Sequence, residues 1–307
     1  MAESDRAAPR FLCAGIAVLD EVFRVAQIPQ NDSKTNASDY LSISGGNAAN
    51  AAIAIAALGG VARFAGPLGD DDVAARILSG LTRRKIDCAG CVRVAGGKSS
   101  VSAILLNDAG ERTIATYTDP RLLQASPGNA NDLIANVDCI VVDNRRPNFV
   151  TPICTAGRSR GLPIVMDVDK AAPLDDPLFA LTTHTIFSAE SLKSATQQSD
   201  LAAALRHAQA RIGRFVAVTD GPRDALWCDG GEIGKTPAFH IDAVDTLAAG
   251  DVFHGAFALA LVEGHDMAAC MGFAAAAAAL KCLRFGGSAT APTRAEVEAF
   301  LRERRSE

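Results

Sequence analysis

The sequence predicts an α/β fold in which a mostly parallel sheet is covered by helices on both faces and a small second sheet projects from it. Three observations predict this. The short apolar runs FLCAG, VARFAG, DCIVVDN, LPIVMDVD, HTIFSAE and FVAVTDG each close on a small or polar residue, as strands do when both faces are buried. Between them lie NAANAAIAIAALG, DDVAARILSGLTRR and DLAAALRHAQARIG, whose helical period alternates with the strands and so builds helices around a sheet. Two segments break this rhythm. Residues from about Val22 to Ser44, and KSSVSAILLNDAGERTIATYT over about 98–118, read as extended strands, the second a hairpin turning at Asn107–Gly110.

The elements follow in chain order. MAESDRAAPR places acids and Arg ahead of an apolar run too brief and interrupted for a signal peptide or a membrane span, so the reading is cytoplasmic with no membrane partner. Asp20 lies five residues beyond Gly15 at the end of the first run. A carboxylate there can bind two adjacent hydroxyls, and it can equally be a solvated loop acid. Ser44-Gly45-Gly46-Asn47-Ala48-Ala49-Asn50 opens the next helix; paired glycines permit close backbone approach to a polyol, and the asparagines offer donors and acceptors or serve as caps. The runs ending at Asp143, Asp167 and Asp220 set carboxylates at carboxyl ends of strands, where ligands of such sheets sit. FAAAAAALKC reads as a buried helix, with a nucleotide-facing role as the alternative.

The most informative stretch is Asp245-Thr-Leu-Ala-Ala-Gly-Asp251, which leads into a long apolar helix. Small residues ahead of a helix let N–H groups converge on an anion, and the helix dipole favours negative charge there. That makes a phosphate site. Asp251 stands at the helix start either as a base beside the anion or as an ordinary N-terminal acid.

Composition narrows the class. A hydrophobic share of 49% and a charged share of 21% leave no room for a large disordered region. With no internal repeat or linker, 1–307 reads as a single domain carrying the two inserted lid segments. The net charge of −5 argues against a nucleic-acid partner, which would want a basic surplus. Eight cysteines are scattered in apolar stretches, and the one CxxC, Cys88 and Cys91, lacks the second pair or histidines of a zinc site.

Together these elements resemble the ribokinase-like, or pfkB, carbohydrate kinase family over nearly the whole chain. DTLAAGD matches the family's DTxGAGD signature with Ala248 in place of its first glycine, and SGGNAAN with AIAALGG and GPLGDDD matches the N-terminal signature. The resemblance implies a three-layer sandwich with a β lid, ATP and Mg²⁺, and a homodimer paired through the lid. It implies that Asp251 is the base, that the backbone of Ala248, Ala249 and Gly250 forms the anion hole, and that Asp20, Gly45, Gly46 and Asn50 hold the sugar. Thr219 and Gly221 would lie against ATP. Ser188 and Glu190 stand where relatives carry an Asn-x-x-Glu motif supporting Mg²⁺, without a glutamate at the matching last position, Ser191. Asp245 would be a K⁺ ligand.

Within the family, VFHGAF, AAAALKCLRFGG and CIVVDNRR resemble the 6-deoxy-6-sulfofructose kinase branch. That branch implies a basic clasp for a sulfonate, matched by Lys34 and Arg145, with Thr116 where an Asn is expected. Lys34 and Arg145 also read as solvated surface charges. A sugar phosphate, fructose and ribose are the alternatives within the family. Two other classes are weighed. A dinucleotide oxidoreductase would need GxGxxG after an early strand, which Gly15-Ile-Ala-Val-Leu-Asp20 does not supply. A non-catalytic binding protein on the same fold would not need the phosphate cradle with its base.

Overall fold

The computed structural model describes residues 7–107 and 110–305. β1 (Arg10–Ala14) starts the main sheet, after which the chain rises into β2 (Val18–Val25) and β3 (Ala37–Gly45) and returns through α1 (Asn47–Ala57) to β4 (Val61–Ala65). Then come β5 (Pro67–Gly69), α2 (Asp72–Thr82), β6 (Val92–Val94), and a second excursion through β7 (Ser100–Asn107) and β8 (Arg112–Tyr117). The middle of the chain alternates regularly: α3 (Ala130–Leu133), β9 (Cys139–Asp143), α4 (Pro147–Ser159), β10 (Ile164–Val168), α5 (Pro177–Leu181), β11 (His184–Ser188), α6 (Ala189–Thr196), α7 (Leu201–Ile212) and β12 (Phe215–Asp220). A hairpin of β13 (Arg223–Cys228) and β14 (Ile233–Thr236) precedes α8 (Ala249–Val262), α9 (Met267–Cys282) and α10 (Arg294–Arg305).

The eight-stranded main sheet runs β14-β13-β12-β11-β10-β9-β1-β4. Its members from β12 to β4 are parallel, and β13 and β14 are antiparallel. Each expected apolar run is one of the parallel strands, and β9 and β10 are buried at every position. One apolar core packs α1, α8 and α9 on one face, with Phe11, Phe64 and Phe257 fully buried. A second packs α4 and α7 on the other around Phe149, Ile153 and Phe187. This is the expected three-layer arrangement. No helix among the described residues is long and apolar enough to cross a membrane.

The lid is a four-stranded sheet in the order β3-β2-β7-β8. It begins lower than the sequence suggests, because β2 pairs in parallel with β7 from Val18↔Ser100 upward and its first three residues are buried. Asp20 therefore belongs to a lid strand rather than to a loop. Residues 26–36, expected as strand, form none. The second hairpin is present, and the two central residues of its turn, Asp108 and Ala109, lie outside the described residues. All six residues of β8 are exposed, and Tyr40 and Tyr117 on the lid are about half exposed. All eight cysteines are free.

Candidate active site

Two helix N-termini meet where the lid joins the main sheet. α1 begins after Gly45-Gly46, and both glycines are required by their neighbours. A Cβ on Gly45 would lie 1.8 Å from the Asp20 carboxylate. Gly46 has φ +94° and a Cβ would stand 2.7 Å from the Ile16 carbonyl oxygen. Below them the buried Asp143 carboxylate accepts N–H bonds from Ile16 (2.7 Å), Arg145 (3.0 Å) and Ala48 (3.3 Å). It staples the ends of β1, β9 and α1 together. Burial pushes it up to about 6. Of the three strand-end acids, then, Asp143 is structural, Asp220 is ion-paired with Arg223 at 2.6 Å, and Asp167 faces the cavity.

α8 is preceded by its N-cap Ala248, whose φ of 63° lies in the left-handed region. The Val252 N–H makes the first regular helical bond, to the Ala248 carbonyl at 3.0 Å. The carbonyls four residues before Gly250 and Asp251 belong to Thr246 and Leu247, ahead of the helix, so those N–H groups begin the helix without an intrahelical acceptor. In the first turn the Asp251 Oδ2 accepts a bond from Asn50 Nδ2 at 2.7 Å, and Asn50 Oδ1 accepts one from the Ser288 hydroxyl at 2.6 Å. The amide of Asn50 is thereby fixed in one orientation.

Asp251 is pushed up to about 8, first by burial and then by the neighbouring Asp167. Asp167 is also raised by burial, and it accepts a bond from Asn47 Nδ2 at 2.8 Å. His254, one helical turn beyond Asp251, directs Nδ1 to the Gly250 carbonyl at 2.6 Å. Its Nε2 has no hydrogen-bond partner among the described residues and lies 3.6 Å from Asp167 Oδ1. Burial lowers its pKa, opposed by the neighbouring carbonyls and carboxylates. Asp20, buried on β2, is pushed up to about 7 by burial, with a bond from Ser102 opposing.

These groups line one cavity of about 450 Å³. The lid contributes Asp20, Thr116 and the apolar Val18, Ile104 and Ile114, and among the described residues no Phe, Tyr or Trp lines the cavity. Across the lid, Arg112 donates to the Thr246 hydroxyl on the loop before α8. On the sheet side Arg145 meets Asp169 through Nε at 3.0 Å from each carboxylate oxygen. Ser188 and Thr219, at the carboxyl ends of β11 and β12, complete the wall. No group of three or more His, Cys, Asp or Glu side chains is placed to hold a metal ion among the described residues. Mg²⁺ at a kinase site takes one or two carboxylates together with substrate phosphates, and Asp167, Asp169 and Asp251 supply that oxygen type.

An anion cradle, a carboxylate beside it and a polar sugar-sized cavity under a β lid coincide with a family match. The model of the pfkB family carbohydrate kinases matches residues 9–294. The chain belongs to that family. It is similar to the ribokinase of Bacillus subtilis, at 28% identity over 95% of this chain and 99% of that one. It is also similar to the ATP-dependent ribose-1-phosphate kinase of Halopiger xanaduensis, at 29% over 96% and 99%. Among solved structures, "a putative ribokinase from Agrobacterium tumefaciens" superimposes with a TM-score of 0.94 at 36% identity, covering 98% and 100% of the two chains.

In this pfkB kinase, Asp251, Asp20, Gly46, Asn50, Thr116, Arg145, Ser188, Thr219 and Ala248 to Gly250 line the cavity. Gly45 acts from behind, by making room for Asp20. Three expected residues do not reach it. Lys34 lies in a separate groove at the far end of the lid with Gln27 and Glu111, because the 26–36 segment that carries it is not strand. Glu190 is exposed on the first turn of α6, while Ser191, where a glutamate was expected, buries its hydroxyl against the Val168 carbonyl. Gly221 sits in the exposed β12–β13 turn with φ 59°. Asp245 departs furthest from expectation, since its carboxylate is paired with the buried ammonium of Lys281 at 3.1 Å. Sequence reasoning missed His254, Asp169, Arg112, Ser288 and Lys281. A lone Lys in an otherwise apolar Ala-rich helix was the one legible signal among them.

Proposed function

We propose that the chain catalyses in-line transfer of the γ-phosphoryl group of ATP to a primary hydroxyl of a furanose sugar, a ketose or pentose, with Asp251 as the base. The coarser statement, an ATP-dependent sugar kinase, follows from the family. The observation that carries the finer one is the Asn50–Asp251 bond at 2.7 Å at the mouth of α8. Asn50 occupies Oδ2, so Oδ1 is the oxygen free to take the hydroxyl proton as the new O–P bond forms and ADP departs. A carboxyl group near pH 8 is tuned for this exchange, since an effective base has a pKa close to working pH. Positioning and charge neutralisation do the remainder. The N–H groups at the start of α8 would receive the phosphoryl oxygens, and Mg²⁺, held through ATP and the cavity carboxylates, would supply counter-charge.

The sugar reading rests on Asp20, Asn47, Asn50 and His254, four polar groups presented to hydroxyls in a cavity with no Phe, Tyr or Trp platform for a base among the described residues. Replacing Asp251 by Asn is expected to lower kcat by about 10²–10⁴-fold or more with ATP binding intact. A variant retaining most of its turnover would overturn the assignment.

A second reading is favoured by one observation. Arg145 lines the cavity, which fits 6-deoxy-6-sulfofructose, phosphorylated at its 1-hydroxyl, or a sugar phosphate. Asp169 already takes the guanidinium and Lys34 lies elsewhere, so a neutral furanose is the better-supported substrate. Comparing kcat/KM for fructose, ribose, ribose 1-phosphate, fructose 6-phosphate and 6-deoxy-6-sulfofructose decides between them. With an anionic substrate, Arg145→Ala would lose about ten- to a hundredfold in kcat/KM and spare neutral sugars; equal losses on both would leave the neutral reading standing. The exposed lid, with Tyr40 and Tyr117 outward, supports a homodimer paired through it, which sedimentation at micromolar concentration tests.

A further inference from the structure

Asp245 was expected to hold a potassium ion, and its surroundings do not fit one. The carboxylate is 1% exposed and fully subscribed. Oδ1 accepts the Leu247 N–H at 2.8 Å, and Oδ2 accepts those of Gly286 and Gly287 at 3.0 and 2.8 Å. Lys281, itself 0% exposed, places Nζ 3.1 Å from Oδ2 and donates to the Asp245 carbonyl at 2.6 Å. A second cation on the same oxygens would stand against this ammonium at a separation where like charges repel strongly. Lys281 comes from the last turn of α9, where a cation is also favoured by the helix dipole.

We propose that Lys281 is a built-in monovalent cation, a tethered ammonium that holds the phosphate-cradle loop in position and makes the enzyme independent of added K⁺ or Na⁺. The inference rests on the kinase reading above for its catalytic arm. Two paths lead from the Lys281–Asp245 pair to the reacting groups. One runs through the Asp245–Leu247 turn into Ala248 and the start of α8. The other runs through Gly286 and Gly287 to Ser288, whose hydroxyl holds Asn50, which in turn holds Asp251. Between them, the N–H groups of Val244 and Asp245 both donate to the Cys282 carbonyl, at 2.8 and 3.1 Å. Lys281 touches no reacting atom and is a positioning residue. A buried ammonium persists only where it is paired, and removing it leaves a carboxylate buried without a counter-charge.

The test is a cation titration read by activity and by melting temperature. Wild-type enzyme assayed in Tris or choline salts should match its rate in KCl at equal ionic strength, and its Tm should be indifferent to the cation. Lys281→Ala should lose about tenfold or more in kcat, and K⁺, ammonium or methylammonium should restore part of the rate and raise Tm, whereas choline should do neither. Lys281→Met, which fills the volume without charge, separates packing from charge: full activity in cation-free buffer would overturn the proposal. So would stimulation of the wild type by K⁺, or a Lys281→Ala Tm insensitive to small cations. If neither variant folds in any salt, the wild-type titration decides alone. If no sugar is phosphorylated under any condition, the kinase reading fails by itself, and the Tm arm still tests the tethered cation.

Discussion

Two aspartates six residues apart, Asp245 on the loop before α8 and Asp251 in its first turn, have opposite surroundings. Asp245 gains three N–H bonds and a buried ammonium, which together overcome the cost of burial and hold its carboxyl below the ordinary range. Asp251 has one amide donor, a desolvated setting and Asp167 for company, and its carboxyl rises to about 8. The contrast separates two uses of a buried carboxylate. A charge that its neighbours stabilise fixes a loop, and a charge that its neighbours oppose is ready to take a proton.

Neutralising each residue breaks the contrast most sharply, because the effects on stability should differ in sign. Asp245→Asn leaves Lys281 buried without its counter-charge and is expected to cost about 3–5 kcal/mol. Asp251→Asn removes a charge the fold resists. The sign follows from linkage: the folded pKa of Asp251 lies above the unfolded value, so the folded form holds the proton more tightly, and stability is lost as pH rises from near 4 to near 8. The Asn variant escapes that loss, so its Tm relative to wild type should be higher at pH 8 than at pH 5. Thermal melts of both variants at the two pH values check this. A Tm difference for Asp251→Asn that does not change with pH would mean that its carboxyl is ordinary.

Gly45→Ala probes the same cavity without altering any charge. Its new methyl would stand 1.8 Å from an Asp20 oxygen, and either the carboxylate or the α1 entrance must move. Misplacement on the ångström scale costs about 10²-fold in rate at a positioned site. The loss should show in kcat/KM for the sugar while the KM for ATP changes little. Equal effects on both substrates would show that the α1 entrance shifted as a whole.

Much of this was legible in the sequence, for stateable reasons. Strands buried on both faces must be apolar throughout, so the runs through Cys139–Asp143 and Ile164–Val168 announced themselves. The turns before α1 and α8 need small residues, which made Gly45-Gly46 and Ala248 to Gly250 visible as ligand-facing backbone. What stayed hidden depends on contacts distant in sequence. Ser288 reaches Asn50 across 238 positions, and Lys281 reaches Asp245 across 36. No local pattern encodes either pairing. Lys34 failed for a related reason: its charge was readable, but the path of residues 26–36, which sets where that charge goes, was not.

The smallest expected effect concerns the residue between the two aspartates. Ala248 holds φ 63°, a region in which a Cβ is strained, and it stands where the family signature has glycine. Ala248→Gly should release a strain of about 1–2 kcal/mol while giving back about 0.4–1 kcal/mol through the freer unfolded chain. The net gain is therefore between about 0 and 1.6 kcal/mol, or a few degrees in Tm at most. Activity should hold, because glycine keeps the same N–H in the same turn. If the variant melts lower than wild type, the Ala248 methyl contributes packing that outweighs its strain, and the loop between Asp245 and Asp251 is held by side-chain contact as well as by the Lys281 pair.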